Sequence, residues 1–554
     1  MEQQKKWWKE GVVYQIYPRS FKDTTGNGLG DIAGIIEKLD YIKSLGVTML
    51  WLCPIYTSPN DDNGYDISDY RAISEDFGGN AAFDRLLEEM HQRDLKLIMD
   101  LVVNHSSDEH YWFQEAKKSK DNPYHDYYIW KEGDPSVRPN NWQSVFNGSV
   151  WEWNAPTQEY FLHYYTKKQP DLNWENPALR KEVYAIIDFW LGKGVDGFRM
   201  DVISLISKRH AFTDVPDRMS FIDVMEKVYA NGPKVHDYLQ EMNREVLSRY
   251  DVVTVGEGPG VNLEHGPRYV SAKEKELNMV FHFDHLTIDF GPEGKYDPVP
   301  VDFIRFKEIF RQWDDALAGD GWNSIFLGNH DFSRIVSRFG NDGEYREASA
   351  KLFATLLMSL RGTPYVYQGD EIGMTNVAHP SIEIYDDVET RNAWNAAKAA
   401  GKDMEQFLHA VHWQSRDNAR TPMQWNATPQ AGFSSGKPWI PVNENYREIN
   451  VAAAERDQNS ILHYYRKMIA LRKAHPTLVY GHFQDVLPQH PHLYAYKRWD
   501  DKGNYFILHN FSDSPTAWVQ KEDYRLLISN YLEHSTETLS PWESRVYQLV
   551  STFS

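Results

Sequence analysis

Eight short apolar segments, most of them followed by a stretch with helical periodicity, constrain the fold of this chain more than any other feature. The segments are rich in β-branched, aromatic and other apolar residues and span residues 12–17, 49–53, 95–103, 197–200, 252–256, 279–283, 324–327 and 363–367. Helical spacing of apolar residues marks residues 32–45, 82–92, 183–194, 235–248, 301–317 and 460–475. Strands that are apolar on both sides indicate a parallel sheet covered on both faces. Eight such units favour a closed α/β barrel, the (β/α)8 TIM barrel, over an open doubly wound sheet.

Two parts of the chain do not fit this repeating unit. The third and fourth strands are separated by about 90 residues, and long connections of this kind are usually functional. The alternating pattern after residue 476 indicates an antiparallel β domain of sandwich type, with strand candidates at 493–496, 505–508 and 545–550. We therefore predict a barrel from residues 1–104 and 175–476, an inserted subdomain over 105–174, and a C-terminal β domain over 477–554.

Composition excludes several classes of partner. The formal net charge of -20, without a basic tract, is unfavourable for binding a nucleic acid. No run of about 18 apolar residues is present, and residues 1–9 lack the apolar core of a signal peptide, so we expect no membrane contact and a cytoplasmic protein. The single cysteine, Cys53, rules out an internal disulfide. Aromatic residues make up 14% of the chain, which suits either a large core or surfaces that stack on sugars.

Charged and polar side chains stand at the ends of the predicted strands, where barrel enzymes place their active sites. They are Asp62, Asp100 with His105, Arg199 with Asp201, Glu257, and His330 with Asp331. A metal site is one interpretation, but no pair has tight ligand spacing, and His105 with His110 is a weak match. The other is acid–base chemistry between carboxylates, of the kind that cleaves a glycosidic bond with one carboxylic acid and one carboxylate.

Two of these carboxylates suit the two roles. Arg199 and Asp201 lie on one face of a strand, because side chains repeat every two residues, and the arginine would keep Asp201 ionised. A plain structural ion pair remains the alternative. Glu257 lies between Gly256 and Gly258 with no basic neighbour in sequence, so crowding by other carboxylates could keep it protonated.

Several motifs in a fixed order resemble the α-amylase family of glycoside hydrolases (family 13), and within it the oligo-1,6-glucosidase and α-glucosidase group. The motifs are Gly46-Val47 with Trp51 and Pro54, Asp100-Leu-Val-Val-Asn104-His105, Gln169-Pro-Asp-Leu-Asn173, Gly197-Phe-Arg-Met-Asp201-Val202, Val255-Gly-Glu257, Asn329-His330-Asp331, and Arg416-Asp-Asn-Ala-Arg420-Thr-Pro. The resemblance covers nearly the whole chain. One such motif would be weak, whereas seven in register are specific.

The resemblance implies a role for each matching residue. Asp201 stands at the position of the nucleophile, Glu257 at that of the general acid/base, and Asp331 at that of the third carboxylate. The implied substrate-binding residues are His105, Arg199 and His330 around the −1 glucose, Tyr65 as its stacking platform, Asp62 and Arg416 as a pair that closes the pocket, and Phe146, Tyr165 and Gln169 on the leaving-group side. The implied enzyme is an exo-acting, retaining α-glucosidase that takes short oligosaccharides such as isomaltose, sucrose or maltose.

Four sequence features bear on specificity and on alternatives. Val202 accompanies acceptance of α-1,6 links in similar enzymes, although it could be only a β-branched strand residue. The arginine-rich loop of sucrose isomerases is absent after the sixth strand, so hydrolysis is favoured over isomerisation. A sucrose isomerase or an α-glucosyl transferase of the same family is the alternative. No cationic patch for a phosphorylated trehalose is visible on the leaving-group side. A non-catalytic transporter accessory protein is disfavoured, because all three carboxylates are present.

A turn after the first strand places oxygen-bearing residues at every second position around glycines. This spacing suits a hard cation, and the loop resembles the calcium loop of the family. The implied ligands are Asp23, Thr25, Asn27, the carbonyl of Leu29, and Asp31. We expect a structural Ca²⁺, with Mg²⁺ and a metal-free turn as alternatives. For the assembly we expect a monomer or a weak homodimer.

Overall fold

Eight parallel strands form the central barrel of the computed structural model, which describes residues 5–216, 219–519 and 524–549. The strands are β1 (Val13–Ile16), β2 (Met49–Leu52), β3 (Lys96–Val102), β4 (Gly197–Asp201), β5 (Val253–Glu257), β6 (Met279–Phe281), β7 (Ser324–Ile325) and β8 (Thr363–Tyr367). Their order in the sheet is β6-β5-β4-β3-β2-β1-β8-β7. The Ser324 hydroxyl donates to the Val280 carbonyl over 2.8 Å and joins the two end strands, β7 and β6. The predicted TIM barrel is confirmed.

Helices surround the barrel, largely where the apolar periodicity predicts them. The longer ones are Gly79–Gln92, Pro177–Lys193, Val235–Glu245, Phe303–Leu317, Arg346–Ser359, Val388–Ala399, Met404–Gln414 and Ile461–Ala474. The helix predicted over 32–45 is two helices, Ile32–Glu37 and Leu39–Ser44, with a break at Lys38. The helix predicted from residue 183 begins earlier, because Asn176 caps it and Pro177 occupies its first position.

The segment inserted after β3 is more regular than its composition suggests. It contains the helix Tyr111–Ala116 and a three-stranded antiparallel sheet with Glu159–Leu162 between Trp130–Glu132 and Trp151–Asn154. An isolated bridge pairs His105 with Asp171 and ties the end of the insertion back to the end of β3. The insertion therefore stands over the carboxyl ends of the barrel strands.

The C-terminal part of the chain forms the predicted antiparallel sheet. Its order is His482–Asp485, Leu493–Trp499, Asn504–Asn510, Ser544–Leu549 and Tyr524–Ser529, and a two-stranded ribbon pairs Thr516–Ala517 with Thr538–Leu539. Val550, predicted as the end of the last strand, lies outside the described residues. Within the described ranges, none of the helices combines the length and the apolar character that a membrane crossing requires.

A buried arginine joins this sheet to the barrel. Arg498 is fully buried, and its guanidinium donates to backbone carbonyls instead of pairing directly with a carboxylate. The accepting carbonyls are those of Ser359, Thr477, Leu478, Val479, Gly481 and His482. One side chain thus satisfies carbonyls at the end of the helix Arg346–Ser359 and along the turn into the sheet.

We expect Arg498→Leu to lower the free energy of unfolding by about 2–3 kcal/mol, because it leaves buried carbonyls without donors. Thermal melting followed by circular dichroism would measure the change. Arg525→Leu is the matched control, since Arg525 is exposed and donates to the Gln548 side chain. Equal melting temperatures for the two variants would contradict this account of the interface.

Candidate active site

Four carboxylates meet at the carboxyl ends of the barrel strands. Asp100 lies in β3, Asp201 and Glu257 are the last residues of β4 and β5, and Asp331 follows β7. The register explains part of this convergence, because Asp100 is the neighbour of Arg199 across the β3–β4 pair and Val102 is the neighbour of Asp201. Parallel strands bring their carboxyl ends to one rim, so side chains from distant parts of the sequence share a single site.

The Arg199 guanidinium is the common partner of three of these carboxylates. Its Nη1 lies 2.7 Å from both Asp100 Oδ1 and Asp201 Oδ1, and its Nη2 lies 2.6 Å from Glu257 Oε2. Contact with one planar guanidinium places the bound oxygens of Asp201 and Glu257 at most about 8 Å apart. Sequence neighbours supply no cation for Glu257, but the fold does.

Protonation of this cluster is shared among its members. Burial raises the pKa of Asp201 well above its ordinary value, Arg199 opposes the shift, and repulsion from Glu257 and Asp100 adds to it. Burial also raises the pKa of Asp100 to about 6. One guanidinium cannot neutralise three buried carboxylates, so Asp100 and Asp201 bind their protons more tightly than exposed aspartates do. The prediction that Arg199 keeps Asp201 ionised leaves out burial and the two neighbouring carboxylates, which raise the pKa of Asp201.

Val202 adopts a strained backbone conformation directly after Asp201. Its φ of 34° and ψ of 40° lie in the left-handed region, which β-branched residues rarely adopt. The interpretation of Val202 as a strand residue is wrong, since β4 ends at Asp201. The turn points the Val202 N–H at Glu257 Oε2 over 3.0 Å. The next residue, Ile203, packs closely against Gly256, where an added Cβ would approach Ile203 Cγ2 to 2.7 Å.

A second arginine, Arg416, organises the opposite wall. Its Nη2 lies 3.3 Å from Asp62 Oδ1, as the resemblance implies, and its Nη1 lies 3.3 Å from Asp331 Oδ1. Arg420 Nη2 lies 2.9 Å from the same Asp331 oxygen. Burial opposes ionisation of Asp331, but His330 and the guanidinium groups of Arg416 and Arg420 outweigh it and hold the pKa of Asp331 below its ordinary value. Burial raises the pKa of Asp62 to about 7 against the pull of the same two arginines.

Sequence reasoning missed the strongest partner of Arg416. Asp387 is fully buried, and its Oδ1 lies 2.6 Å from Arg416 Nη2 and 2.7 Å from Nε. It also caps the helix Val388–Ala399, where its side chain accepts from Glu389 N and Thr390 N. That capping pattern is visible in the sequence, but only the fold brings the cap to the pocket.

Aromatic and histidine side chains complete the wall between the two arginines. The Tyr65 ring stacks on His330 with centroids 5.3 Å apart, and its hydroxyl lies 3.1 Å from Asp100 Oδ2. Gln169 Nε2 lies 3.2 Å from His105 Nε2 and 3.3 Å from Asp62 Oδ2. Burial lowers the pKa of His105 to about 4, so this ring is neutral at physiological pH.

Phe146 and Tyr165, two of the three residues implied on the leaving-group side, adjoin this wall, whereas the third, Gln169, lies within it against Asp62 and His105. The Tyr165 ring packs 5.3 Å from His105 and 5.4 Å from Phe146, and the Arg416 guanidinium lies 4.9 Å from the Phe146 ring. The structure thus brings every predicted catalytic and substrate-binding residue into one continuous set of contacts. Carboxylates that face aromatic and amide groups suit a neutral, polyhydroxylated ligand.

The predicted cation loop lies apart from this set. Asp23 accepts from Thr25 N, Gly26 N and Gly28 N, each over 2.8 Å, and Asp31 accepts from Thr24 N over 2.8 Å and caps the next helix. The Asn27 side chain accepts from Leu29 N. These oxygen donors fit Ca²⁺ in kind, but each of these side chains already has protein donors. Among the described residues, no group of three or more His, Cys, Asp or Glu side chains could hold a metal ion.

Comparison with known proteins places this geometry in a family. Residues 15–481 match the model of the α-amylase catalytic domain, and residues 495–549 match that of a β-galactosidase C-terminal domain. An oligo-1,6-glucosidase from Parageobacillus thermoglucosidasius is 54% identical, over 98% of this chain and 99% of its own. A trehalose-6-phosphate hydrolase from Bacillus subtilis is 46% identical, over 99% of both chains.

Solved structures agree with these sequence relatives. The isomaltulose synthase from Klebsiella sp. LX3 superposes with a TM-score of 0.95 at 44% identity, over 98% of this chain and 99% of that one. The extent of the family match, the barrel and the full-length relatives lead to the same assignment. The chain belongs to the α-amylase family of glycoside hydrolases.

Proposed function

We propose that the protein is an exo-acting, retaining α-glucosidase that releases α-glucose from the non-reducing end of short α-glucosides. The observation that carries the proposal is the contact of Asp201 and Glu257 with one guanidinium at one end of a pocket that Asp62 and Arg416 close at the other. Full-length relatives named oligo-1,6-glucosidase support isomalto-oligosaccharides as the first substrates to test. Sucrose and maltose are further candidates.

The first chemical step uses the two carboxylates in different protonation states. Asp201 attacks the anomeric carbon, while Glu257 donates its proton to the departing glycosidic oxygen. The acid role requires that Glu257 carry a proton when the substrate binds. The Val202 N–H holds one Glu257 oxygen at 3.0 Å and leaves the other carboxylate oxygen for the leaving group.

The second step reverses the roles. Glu257, now ionised, accepts a proton from water, and that water releases α-glucose from Asp201 with net retention. Both steps pass through a planar, positively charged transition state, which the fixed carboxylates stabilise electrostatically. Asp331 is held ionised by Arg416 and Arg420, so it can accept hydrogen bonds from sugar hydroxyls.

A single glucose is the unit that this pocket suits. Asp62, Arg416 and Asp387 form a continuous ionic wall, with the Asp387 carboxylate fully buried behind it. A longer chain that ran through the −1 position would have to separate these ions. The wall therefore supports attack at a chain end instead of in the interior of a polysaccharide.

A phosphorylated substrate is the second candidate. The expectation that the leaving-group side has no cationic patch is wrong, because Arg138, Lys167 and Lys168 line a cavity that Phe146 and Tyr165 also line. Lys168 is already paired with Asp108 over 2.7 Å, which reduces what it offers to a phosphate. Isomerisation of sucrose remains an alternative, since isomaltulose synthases share the fold. A non-catalytic role is excluded by the family membership together with the assembled carboxylates.

The cytoplasm is the compartment that we propose, with a monomer or weak homodimer as the assembly. The buried free thiol of Cys53 supports a reducing environment, in which thiols persist. Cell fractionation and sedimentation equilibrium would test these two points.

Incubation with isomaltose, maltose, sucrose, trehalose and trehalose 6-phosphate, followed by product analysis, tests the proposed reaction. We expect α-glucose from isomaltose, with kcat reduced about 10²–10⁴-fold in Glu257→Gln and at least as much in Asp201→Asn. Glu276→Gln is the control, because Glu276 is buried and bonded to His236 away from the pocket. Rearranged glucosyl-fructoses from sucrose would indicate an isomerase, and cleavage of trehalose 6-phosphate alone would indicate the second candidate.

The pH dependence of KM tests the closed end of the pocket. Because the pKa of Asp62 is raised to about 7, this carboxylate ionises and pairs with Arg416 as pH rises through 7. We expect KM for isomaltose to fall across that range in the wild type, and to be higher and independent of pH in Asp62→Asn. Asp61→Asn is the neighbouring control, since Asp61 accepts from Thr166 and does not contact Arg416. A wild-type KM that does not vary near pH 7 would contradict this role.

Thermal melting with Ca²⁺, Mg²⁺ or EDTA tests the proposed cation loop. A ligand at about 100 times its Kd stabilises the folded state by about 2.7 kcal/mol, so bound Ca²⁺ is expected to raise the melting temperature. The rise should disappear in Asp23→Asn and persist in Asp84→Asn, which changes an exposed carboxylate paired with Lys193. A melting temperature that is equal in Ca²⁺ and EDTA would favour the metal-free turn.

A further inference from the structure

Gln15, in the first barrel strand, contacts the histidine that holds the third carboxylate. Its side chain is buried, and its amide Nε2 lies 2.9 Å from His330 Nδ1. The other ring nitrogen, His330 Nε2, lies 3.1 Å from Asp331 Oδ2 and 2.7 Å from the Tyr65 hydroxyl. His330 therefore lies between the Gln15 amide at Nδ1 and, at Nε2, the Asp331 carboxylate and the Tyr65 hydroxyl.

The position of the proton on His330 follows from these neighbours. Burial lowers the pKa of His330 to about 3, so the ring is neutral and carries one N–H. Asp331 is held ionised by two guanidinium groups and can only accept. A bare Nε2 facing this carboxylate at 3.1 Å would be repelled, whereas an Nε2–H would form a charge-assisted hydrogen bond.

The remaining contacts agree with a proton on Nε2. Nδ1 must then accept, and the Gln15 amide supplies the donor. The second Gln15 amide hydrogen is directed at Cys53 Sγ, over 3.3 Å. The Tyr65 hydroxyl can give its single proton to Asp100 Oδ2, over 3.1 Å. With the proton on Nδ1 instead, the Nε2 lone pair would face the Asp331 carboxylate. The side-chain amide of Gln15 would then have to flip so that its oxygen accepts from Nδ1.

We propose that Gln15 is a positioning residue that fixes His330 as the Nε2–H tautomer, so that His330 donates to Asp331. The inference deepens the proposed function, on which it rests, since Asp331 is the carboxylate assigned to the sugar hydroxyls. Gln15 does not touch the substrate and acts through the ring of His330.

The charged and titratable groups around His330 come from several elements of the fold. They are Tyr17 directly after β1, Tyr65 after β2, Arg199 on β4, the adjacent Asp331, and Arg416 and Arg420 in the part of the chain that follows β8. Only Gln15 contacts Nδ1 among the described hydrogen-bond partners of the ring. A change at residue 15 therefore acts on one nitrogen while the other contacts stay in place.

Two near-isosteric substitutions separate this role from simple packing. Gln15→Met removes the donor to Nδ1 and is expected to lower kcat/KM for isomaltose about ten- to a hundred-fold, the usual cost of losing an outer-shell partner. Gln15→Glu replaces the donor at Nδ1 by an acceptor. The new carboxylate and Asp331 would then stabilise a His330 ring that is protonated on both nitrogens. We expect its kcat/KM to gain an ionisation between about pH 5 and 8 that neither the wild type nor Gln15→Met shows.

Gln368→Glu is the matched control for a charge buried in the barrel. Gln368 is equally buried and accepts from Tyr17 N through Oε1, an interaction that glutamate retains, and it does not bond to His330. We expect this variant to keep the wild-type pH profile. Melting temperatures of all variants would show whether losses in kcat/KM follow losses in stability.

Neutron crystallography of the wild-type protein would show the proton directly, without any substrate. We expect deuterium on Nε2 of His330 and none on Nδ1. Deuterium on Nδ1, or a Gln15→Met enzyme with wild-type kcat/KM, would overturn the inference, as would identical pH profiles for Gln15→Met and Gln15→Glu. An enzyme without glucosidase activity would instead refute the proposed function, while the neutron map would still report the tautomer.

Discussion

The sharing of one guanidinium by three carboxylates is the interaction on which the site depends. Arg199 and Asp201 project to the same side of β4, the β3 register places Asp100 beside Arg199, and the end of β5 brings Glu257 to its other nitrogen. One positive charge does not neutralise three buried carboxylates, and burial raises the pKa of both Asp100 and Asp201. A nucleophile and an acid of the same chemical type can then coexist a few ångströms apart, which is what a double displacement at an anomeric carbon requires.

In the opposite wall, too, one arginine contacts three carboxylates that come from different parts of the chain. Arg416 contacts Asp62 from the loop after β2, Asp331 from the loop after β7, and Asp387 from the cap of a rim helix. Arg420 provides a second cation there, so Asp331 stays ionised, whereas the pKa values of Asp100 and Asp201 beside Arg199 are raised. The pocket thus holds carboxylates in two protonation states, and the numbers of nearby guanidinium groups account for the difference.

Between these walls lies a layer of neutral groups that orients them. Tyr65 and His330 stack on each other, and His330 is contacted from the barrel interior by Gln15. Backbone strain contributes as well, since the left-handed Val202 directs its N–H at Glu257. Such neutral contacts add no charge to the pocket, but they determine which oxygen of each carboxylate is available to the sugar.

The sequence by itself determined the barrel, the antiparallel C-terminal sheet and the charged residues at the strand ends, because strand and helix periodicity and the residues at strand ends are local patterns. The resemblance to the family supplied the other pocket residues, which are Tyr65, Phe146, Tyr165, Gln169 and Arg416. The structure alone decided what joins Arg199 to Glu257, Asp387 to Arg416 and Gln15 to His330, contacts that span tens to hundreds of positions in the chain. Such contacts depend on strand register and on the paths of long loops, which residue spacing does not encode. The left-handed turn at Val202 escaped prediction for a related reason: a β-branched residue prefers extended backbone, and the strained form persists only where the surrounding structure imposes it.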